Sequence, residues 1–109
     1  MAAETDYRDE TQAPTREEID RTSGPVLLEF GTTWCGHCRA LAPRVAEHLA
    51  LRPEVRHFKV EDGRGRPLGR SFQVRMWPNL VFLRDGQVVS QLARPGDDQL
   101  EEAFRKLVG

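Results

Sequence analysis

Cysteine is scarce in this chain. The two it has stand three residues apart, as Cys35-Gly36-His37-Cys38. Cysteines at that spacing cannot staple distant parts of a fold, which excludes a disulfide-framed scaffold. Long apolar runs are also missing. The longest, Val26 to Leu28 and Leu80 to Leu83, fall far short of the roughly 20 residues that a membrane span needs. A strong charge of one sign is absent as well: the formal net charge is −1, which argues against a general nucleic-acid binder. The opening residues MAAETDYRDE hold neither the basic nor the apolar part of a secretory signal, so a cytoplasmic location without a membrane partner is expected. At 109 residues, about two-thirds of the surface of the unfolded chain can be buried, enough for one core without staples.

The small net charge hides an asymmetry. Residues 1–24 carry seven acids and three bases, and residues 25–109 carry ten acids and thirteen bases. Lysine occurs only at Lys59 and Lys106, against fourteen arginines, and Tyr7 is the only aromatic of the acidic head. Residues 1–14 therefore read as an acidic, flexible, solvated leader, and residues 15–109 as one domain. Thr15 and Glu18 have capping-box spacing, which predicts a short helix over 16–22. Val26 to Phe30 is an apolar run between Pro25 and Gly31, a buried strand. Leu41, Val45 and Leu49 recur every four residues, predicting a helix from Gly36 to about Leu51 that Pro43 kinks. Val55 to Val60 alternates as a second strand, and Pro67 to Phe72 reads as a short helix. Asp85-Gly86 joins Leu80–Leu83 to Gln87–Leu92 as a hairpin, and Asp97 to Val108 forms a last amphipathic helix. A strand–helix–strand unit implies a parallel pair, and the hairpin adds antiparallel strands. The result is an α/β fold with a mixed sheet covered by helices on both faces.

Such a cysteine pair is chemical in value: a redox couple, half a metal site or a haem tether. A haem tether requires histidine after the second cysteine, where Arg39 stands. Zinc needs about four ligands, and no second cysteine pair exists, so no metal is assigned. The redox reading is the one that the rest of the chain supports. Trp34-Cys35-Gly36-His37-Cys38 follows a buried strand and opens a proline-kinked helix, and Trp77-Pro78 lies forty-three residues beyond Cys35, just before a strand. In these features, in the Asp-Gly turn and in the final helix, residues 15–109 resemble the thioredoxin family. The resemblance implies a thioredoxin-like fold with a central sheet of four to five strands; four are visible, because no apolar strand precedes the first helix. The Gly-His filling is more similar to protein disulfide isomerase domains than to most thioredoxins.

The resemblance also implies roles. Cys35, at a helix N-terminus where unpaired N–H groups favour negative charge, is the nucleophile, and Cys38 is the resolving thiol. Gly36 and His37 tune the redox poise, His37 by adding positive charge beside Cys35 if it is an imidazolium; otherwise it is a solvated loop residue. Glu29, six residues before Cys35, matches a buried acid that carries the proton of the resolving cysteine. Lys59, nineteen residues before Pro78, matches the partner lysine of that acid. The plain alternative is a Glu29 on an exposed strand edge and a Lys59 in solvent. Pro78 is expected to be cis, presenting the backbone of Trp77 to an added substrate strand. Trp77 either walls the substrate groove or fills core, and Trp34 packs and shields. His48 and His57 read as ordinary helix and strand residues. Arg64, Arg66, Arg70 and Arg75 form a solvated face or a docking patch for an acidic partner.

Together these readings describe a monomeric thiol–disulfide oxidoreductase that reduces protein disulfides through a Cys35–Cys38 cycle. It needs no cofactor beyond that disulfide and is recycled by a reductase. An oxidase or isomerase, and a quiet adaptor using Trp77 and the arginines, are the alternatives. Gly31, Asn79 and Arg94-Pro95 depart from common family residues, which bears on substrate choice rather than on the thiol chemistry.

Overall fold

A computed structural model describes residues 3–108. In chain order the elements are α1 (Arg16–Asp20), β1 (Pro25–Gly31), α2 (Gly36–Ala50), β2 (Arg56–Glu61), α3 (Pro67–Ser71), β3 (Asn79–Arg84), β4 (Gln87–Ala93) and α4 (Asp97–Val108). The strands form one four-stranded sheet in the order β2-β1-β3-β4, with β2 parallel to β1 and the other pairs antiparallel. Among the described residues no helix is long and apolar enough to cross a membrane.

β1 occupies the middle of the sheet and is buried on both faces, so its alternate residues enter two different cores. Val26, Leu28 and Phe30 join Ile19, Leu68 and Phe72 on the side of α1 and α3. Leu27 joins Leu41, Val45, Leu49, Phe82, Phe104 and Leu107 on the side of α2 and α4. The same alternation sends Glu29 and Gly31 toward α2. In β2 it sends His57 and Lys59 to that side, with Val55 ahead of them.

The elements fall where the sequence places them, with small differences at their ends. α1 stops at Asp20, two residues early, because Arg21 already caps it by donating its N–H to Glu17 and Ile19 carbonyls. The capping box is formed, with Thr15 Oγ1 accepting from the Glu18 N–H and Glu18 Oε1 accepting from the Thr15 N–H. α3 ends at Ser71, with Phe72 as its cap.

The largest difference concerns the acidic leader, read from the sequence as flexible and solvated. Residues 4–8 lie along the outer edge of β2. The Arg8 N–H donates to the Lys59 carbonyl at 2.7 Å, and the Glu61 N–H donates to the Arg8 carbonyl at 2.9 Å. Glu4 Oε1 accepts from the Lys59 N–H at 2.8 Å. The physical reason is the edge itself. β2 has β1 on one side only, so its other row of N–H and C=O groups needs partners.

The Asp85-Gly86 turn holds the hairpin to the start of β1. Both residues have positive φ, 51° and 80°, as a two-residue hairpin loop of this kind requires. Asp85 Oδ1 accepts from the Gly24 N–H, and the Asp85 N–H donates to the Gly24 carbonyl. A Cβ on Gly86 would collide with the backbone carbonyl of Asp20. Gly86→Ala is therefore expected to destabilise the protein by about 1–3 kcal/mol or more, read from the midpoint of urea unfolding. An unchanged midpoint would show that the turn does not need glycine.

Candidate functional site

Cys35 is the N-cap of α2. Its backbone is extended, and its sulfur accepts the Cys38 N–H at 3.2 Å. Both cysteines are free thiols. Cys35 is 9% exposed and Cys38 only 1%, so a disulfide arriving from solvent meets Cys35 first. The Cys38 thiol is pushed up to about 11, chiefly by burial and then by its hydrogen bond with Cys35; a Thr32 backbone hydrogen bond and the nearby Tyr7 hydroxyl pull the other way.

Cys38 points into a space that Gly31 leaves open. A Cβ added at Gly31 would stand 2.6 Å from Cys38 Sγ and 2.7 Å from Tyr7 Oη. The ring of Tyr7 belongs to the docked N-terminal segment. Its hydroxyl is buried and without a hydrogen-bond partner. Burial, together with the nearby Cys38 and Glu29 charges, holds this phenol far above its ordinary range, so it keeps its proton. Tyr7, Cys38, Glu29, His57 and Lys59 all line one cavity of about 360 Å³.

Glu29 is fully buried beneath this space, which removes the exposed-edge alternative. Its partner is His57, by sequence an ordinary strand residue. His57 Nε2 lies 2.8 Å from Glu29 Oε1, and both side chains are buried. The Glu4 N–H donates to His57 Nδ1 at 2.8 Å. Nδ1 is thereby an acceptor, so the ring's N–H is on Nε2 and donates to Glu29. Glu29 Oε2 has no partner and remains the free face of the carboxylate.

Lys59 does not take the partner role expected of it. It stands opposite Glu29 in the strand register and is buried, but no ion pair joins the two among the described residues. Its ammonium sits 4.6 Å from the centroid of the Tyr7 ring and donates to the Thr5 carbonyl at 3.4 Å. The docked segment has drawn Lys59 onto itself, and His57 fills the space beside the acid. The alternation of Val55, His57 and Lys59 was the available signal that His57 shares the face of Glu29. Tyr7 and Glu4 carried none, because backbone bonds to a sheet edge leave no periodic trace.

The other side of the dithiol is built by Trp34, Trp77 and Pro78. The Trp77–Pro78 peptide is cis. Trp77 is half-buried, donates its indole N–H to Asp62 Oδ2 at 2.8 Å, and meets Trp34 edge to face with centroids 5.6 Å apart. Trp34 is 71% exposed and packs on Trp77 at the surface rather than in the core. Asp62 couples this wall to the sheet by donating its N–H to the Gly31 carbonyl. Gly69 on α3 makes room for it: a Cβ there would overlap the Asp62 carboxylate. The Trp77 carbonyl already accepts from Arg94 Nε at 2.7 Å. Arg94 itself has φ 49°, a left-handed conformation unusual for arginine. His37 is exposed and lines a small cleft with Arg44, Pro78 and Arg94. Arg64, Arg66, Arg70 and Arg75 gather around a separate cavity of about 460 Å³ that Trp77 also lines.

The family model for thioredoxin matches residues 8–106. The chain is 34% identical over 87 residues to Thioredoxin Asp f 28 of Aspergillus fumigatus, covering 79% of this chain and 81% of that protein. It is 33% identical over 92 residues to an H-type thioredoxin of Picea mariana, covering 84% and 73%. Among solved structures, thioredoxin 2 of Pseudomonas aeruginosa PAO1 in its reduced form superposes with a TM-score of 0.82 and 57% identity, over 96% of both chains.

The difference between the two thiols has a direct readout. At pH 8, iodoacetamide is expected to modify Cys35 of the reduced protein and to leave Cys38, buried and titrating near 11, as the thiol. Fragment-ion mass spectrometry of the tryptic peptide over 22–39 locates the adduct. Equal modification of both residues would refute the asymmetry.

Proposed function

The chain belongs to the thioredoxin family and is a thiol–disulfide oxidoreductase, and from that premise we propose that it works as a reductase of protein disulfides, with Cys35 as nucleophile and Cys38 as resolving thiol. The observation that carries this reading is the placement of Cys35 at the open N-terminus of α2, with Cys38 one turn inward and its N–H already directed at the Cys35 sulfur.

In the first step the Cys35 thiolate attacks one sulfur of the substrate. A Cys35–substrate disulfide forms, and the other substrate sulfur leaves as a thiolate. In the second step Cys38 attacks the Cys35 sulfur. The Cys35–Cys38 bond forms, the mixed disulfide breaks, and the substrate's remaining sulfur departs. The proton of Cys38 passes to the buried acid, Glu29, whose Oε2 is free to receive it. A separate reductase then returns two electrons to the Cys35–Cys38 disulfide. Trp34, Trp77 and Pro78 wall the groove in which the substrate lies. No further cofactor takes part, and the protein acts as a monomer in the cytoplasm, where such a reductase operates.

The exposed Gly36-His37 filling favours a second direction, oxidation or isomerisation, since an imidazolium beside Cys35, when protonated, stabilises the reduced, thiolate-bearing form. Equilibration with glutathione separates the two. A reductase is expected to show a midpoint at or below about −220 mV, and a value of about −180 mV or higher would reassign the protein. His37→Pro is expected to shift the midpoint toward more reducing values by at most about 30 mV, the equivalent of 1.4 kcal/mol for a two-electron couple.

Glu29 is tested in the same protein. In Glu29→Gln the amide oxygen can still accept from His57, so the fold is kept and stability rises with the loss of a buried charge. Turnover of a protein disulfide at neutral pH is expected to fall by about a hundredfold, the usual scale for a lost proton carrier. Unchanged turnover with lower stability would make Glu29 structural.

A further inference from the structure

We propose that Tyr7, delivered by the N-terminal segment, is the hydrogen-bond donor that stabilises the sulfur of Cys38 as its proton leaves, which makes residues 4–8 part of the resolving half of the active site. This inference rests on the assignment of Cys38 as the resolving thiol.

Three independent observations converge on Tyr7. The first is geometry. Its hydroxyl and Cys38 Sγ crowd the same notch above Gly31, where even a methyl group would clash with both. The second is an unpaid polar group. Tyr7 Oη is buried with no partner of good geometry, although burying an unpaired hydroxyl costs about 1–3 kcal/mol. A hydroxyl kept at that cost and aimed at a reacting sulfur has a use in a state with negative charge there. Catalytic hydrogen bonds are commonly loose before reaction and tighten as charge develops. The third is anchoring. The segment is fixed on both sides of Tyr7, by the Glu4 contacts with His57 and Lys59 and by the Arg8 backbone bonds to β2. Lys59 sits over the phenol ring.

The chemistry divides accordingly. As Cys38 attacks Cys35, its S–H bond breaks and the proton goes to Glu29 Oε2. The developing charge on Cys38 Sγ is met by the Tyr7 O–H, which donates a hydrogen bond and keeps its own proton. The S–S bond then forms between Cys38 and Cys35, and the substrate thiolate leaves with the electron pair. Tyr7 is neither oxidised nor deprotonated. His57 acts through Glu29 as a positioning residue, because its N–H holds Oε1 and leaves Oε2 as the only open face. The charged and titratable groups around Tyr7 are Cys35 at the start of α2, Cys38 and Arg39 from α2, Glu29 from β1, His57 and Lys59 from β2, and Glu4 from its own segment.

The test separates the two steps. Reduced protein mixed with excess 5,5′-dithiobis(2-nitrobenzoic acid) in a stopped-flow instrument releases one thionitrobenzoate when Cys35 is attacked and a second when Cys38 resolves the mixed disulfide. In Tyr7→Phe the ring and its Lys59 contact remain and only the hydroxyl is lost. The expected result is an unchanged first phase and a second phase about tenfold slower at pH 7, with the pH profile of that phase displaced to higher pH. An unchanged second phase in Tyr7→Phe, with a normal wild type, would overturn the role of Tyr7 and leave the dithiol cycle standing. Equal slowing of both phases would also overturn it, by showing a general structural effect. A wild type that never releases the second thionitrobenzoate would overturn the cycle itself and this proposal with it.

Discussion

The two-residue period of β1 is the constraint on which the site depends. Because β1 is central and covered on both faces, each of its side chains is committed to one core or the other. The odd positions meet α2. Leu27 supplies packing, Glu29 supplies a carboxylate, and Gly31 supplies the absence of a side chain. A slip of one residue would put Phe30 in the place of Gly31, against Cys38, and would send Glu29 into the core of Ile19, Phe58 and Phe72. The apolar residues of the strand thus do more than hold the sheet together. They fix which face the acid and the gap occupy, and so where the resolving thiol finds its surroundings.

The two thiols take opposite characters from positions only one turn apart. Cys35 stands where the backbone N–H groups of the first turn are unpaired and solvent is within reach. Cys38 stands where burial outweighs every hydrogen bond offered to it. In the proposed cycle the second thiol needs a place for its proton and a donor for its charge. The polar groups gathered beneath α2, from β1, from β2 and from the N-terminal segment, line one cavity with the second thiol.

Much of this was legible in the sequence because strong local signals agreed with the final packing. The capping box of α1, the four-residue period of α2, the Asp-Gly turn and the last helix each came from side chains whose spacing reports their own element. Cys35 and Cys38 followed from their three-residue spacing in the motif, and Glu29 from the family resemblance and its place in an apolar strand. The partner of Glu29 did not. Lys59 has the right spacing, but spacing along a strand says nothing of where a long flexible side chain ends, and Lys59 turned to Thr5 and Tyr7. His57 could be chosen only with the register of β2 and the position of Glu4 both known. The leader was illegible for a related reason. It is held by main-chain bonds to a strand edge, and such bonds put no demand on side-chain order.

The docked segment has a consequence for how the molecule coexists with its neighbours. An open strand edge is a template on which another chain can add itself, and the extended backbone of a partly unfolded protein is the commonest such visitor. A protein that handles substrates with exposed segments meets that hazard constantly. Arg8 and Glu4 occupy the bonding groups of β2 that would otherwise be on offer, and the Arg8–Glu4 ion pair ties the segment to itself. Visiting backbone is thereby turned away from the β2 edge. Residues 4–8 thus act as a guard on this edge of the sheet.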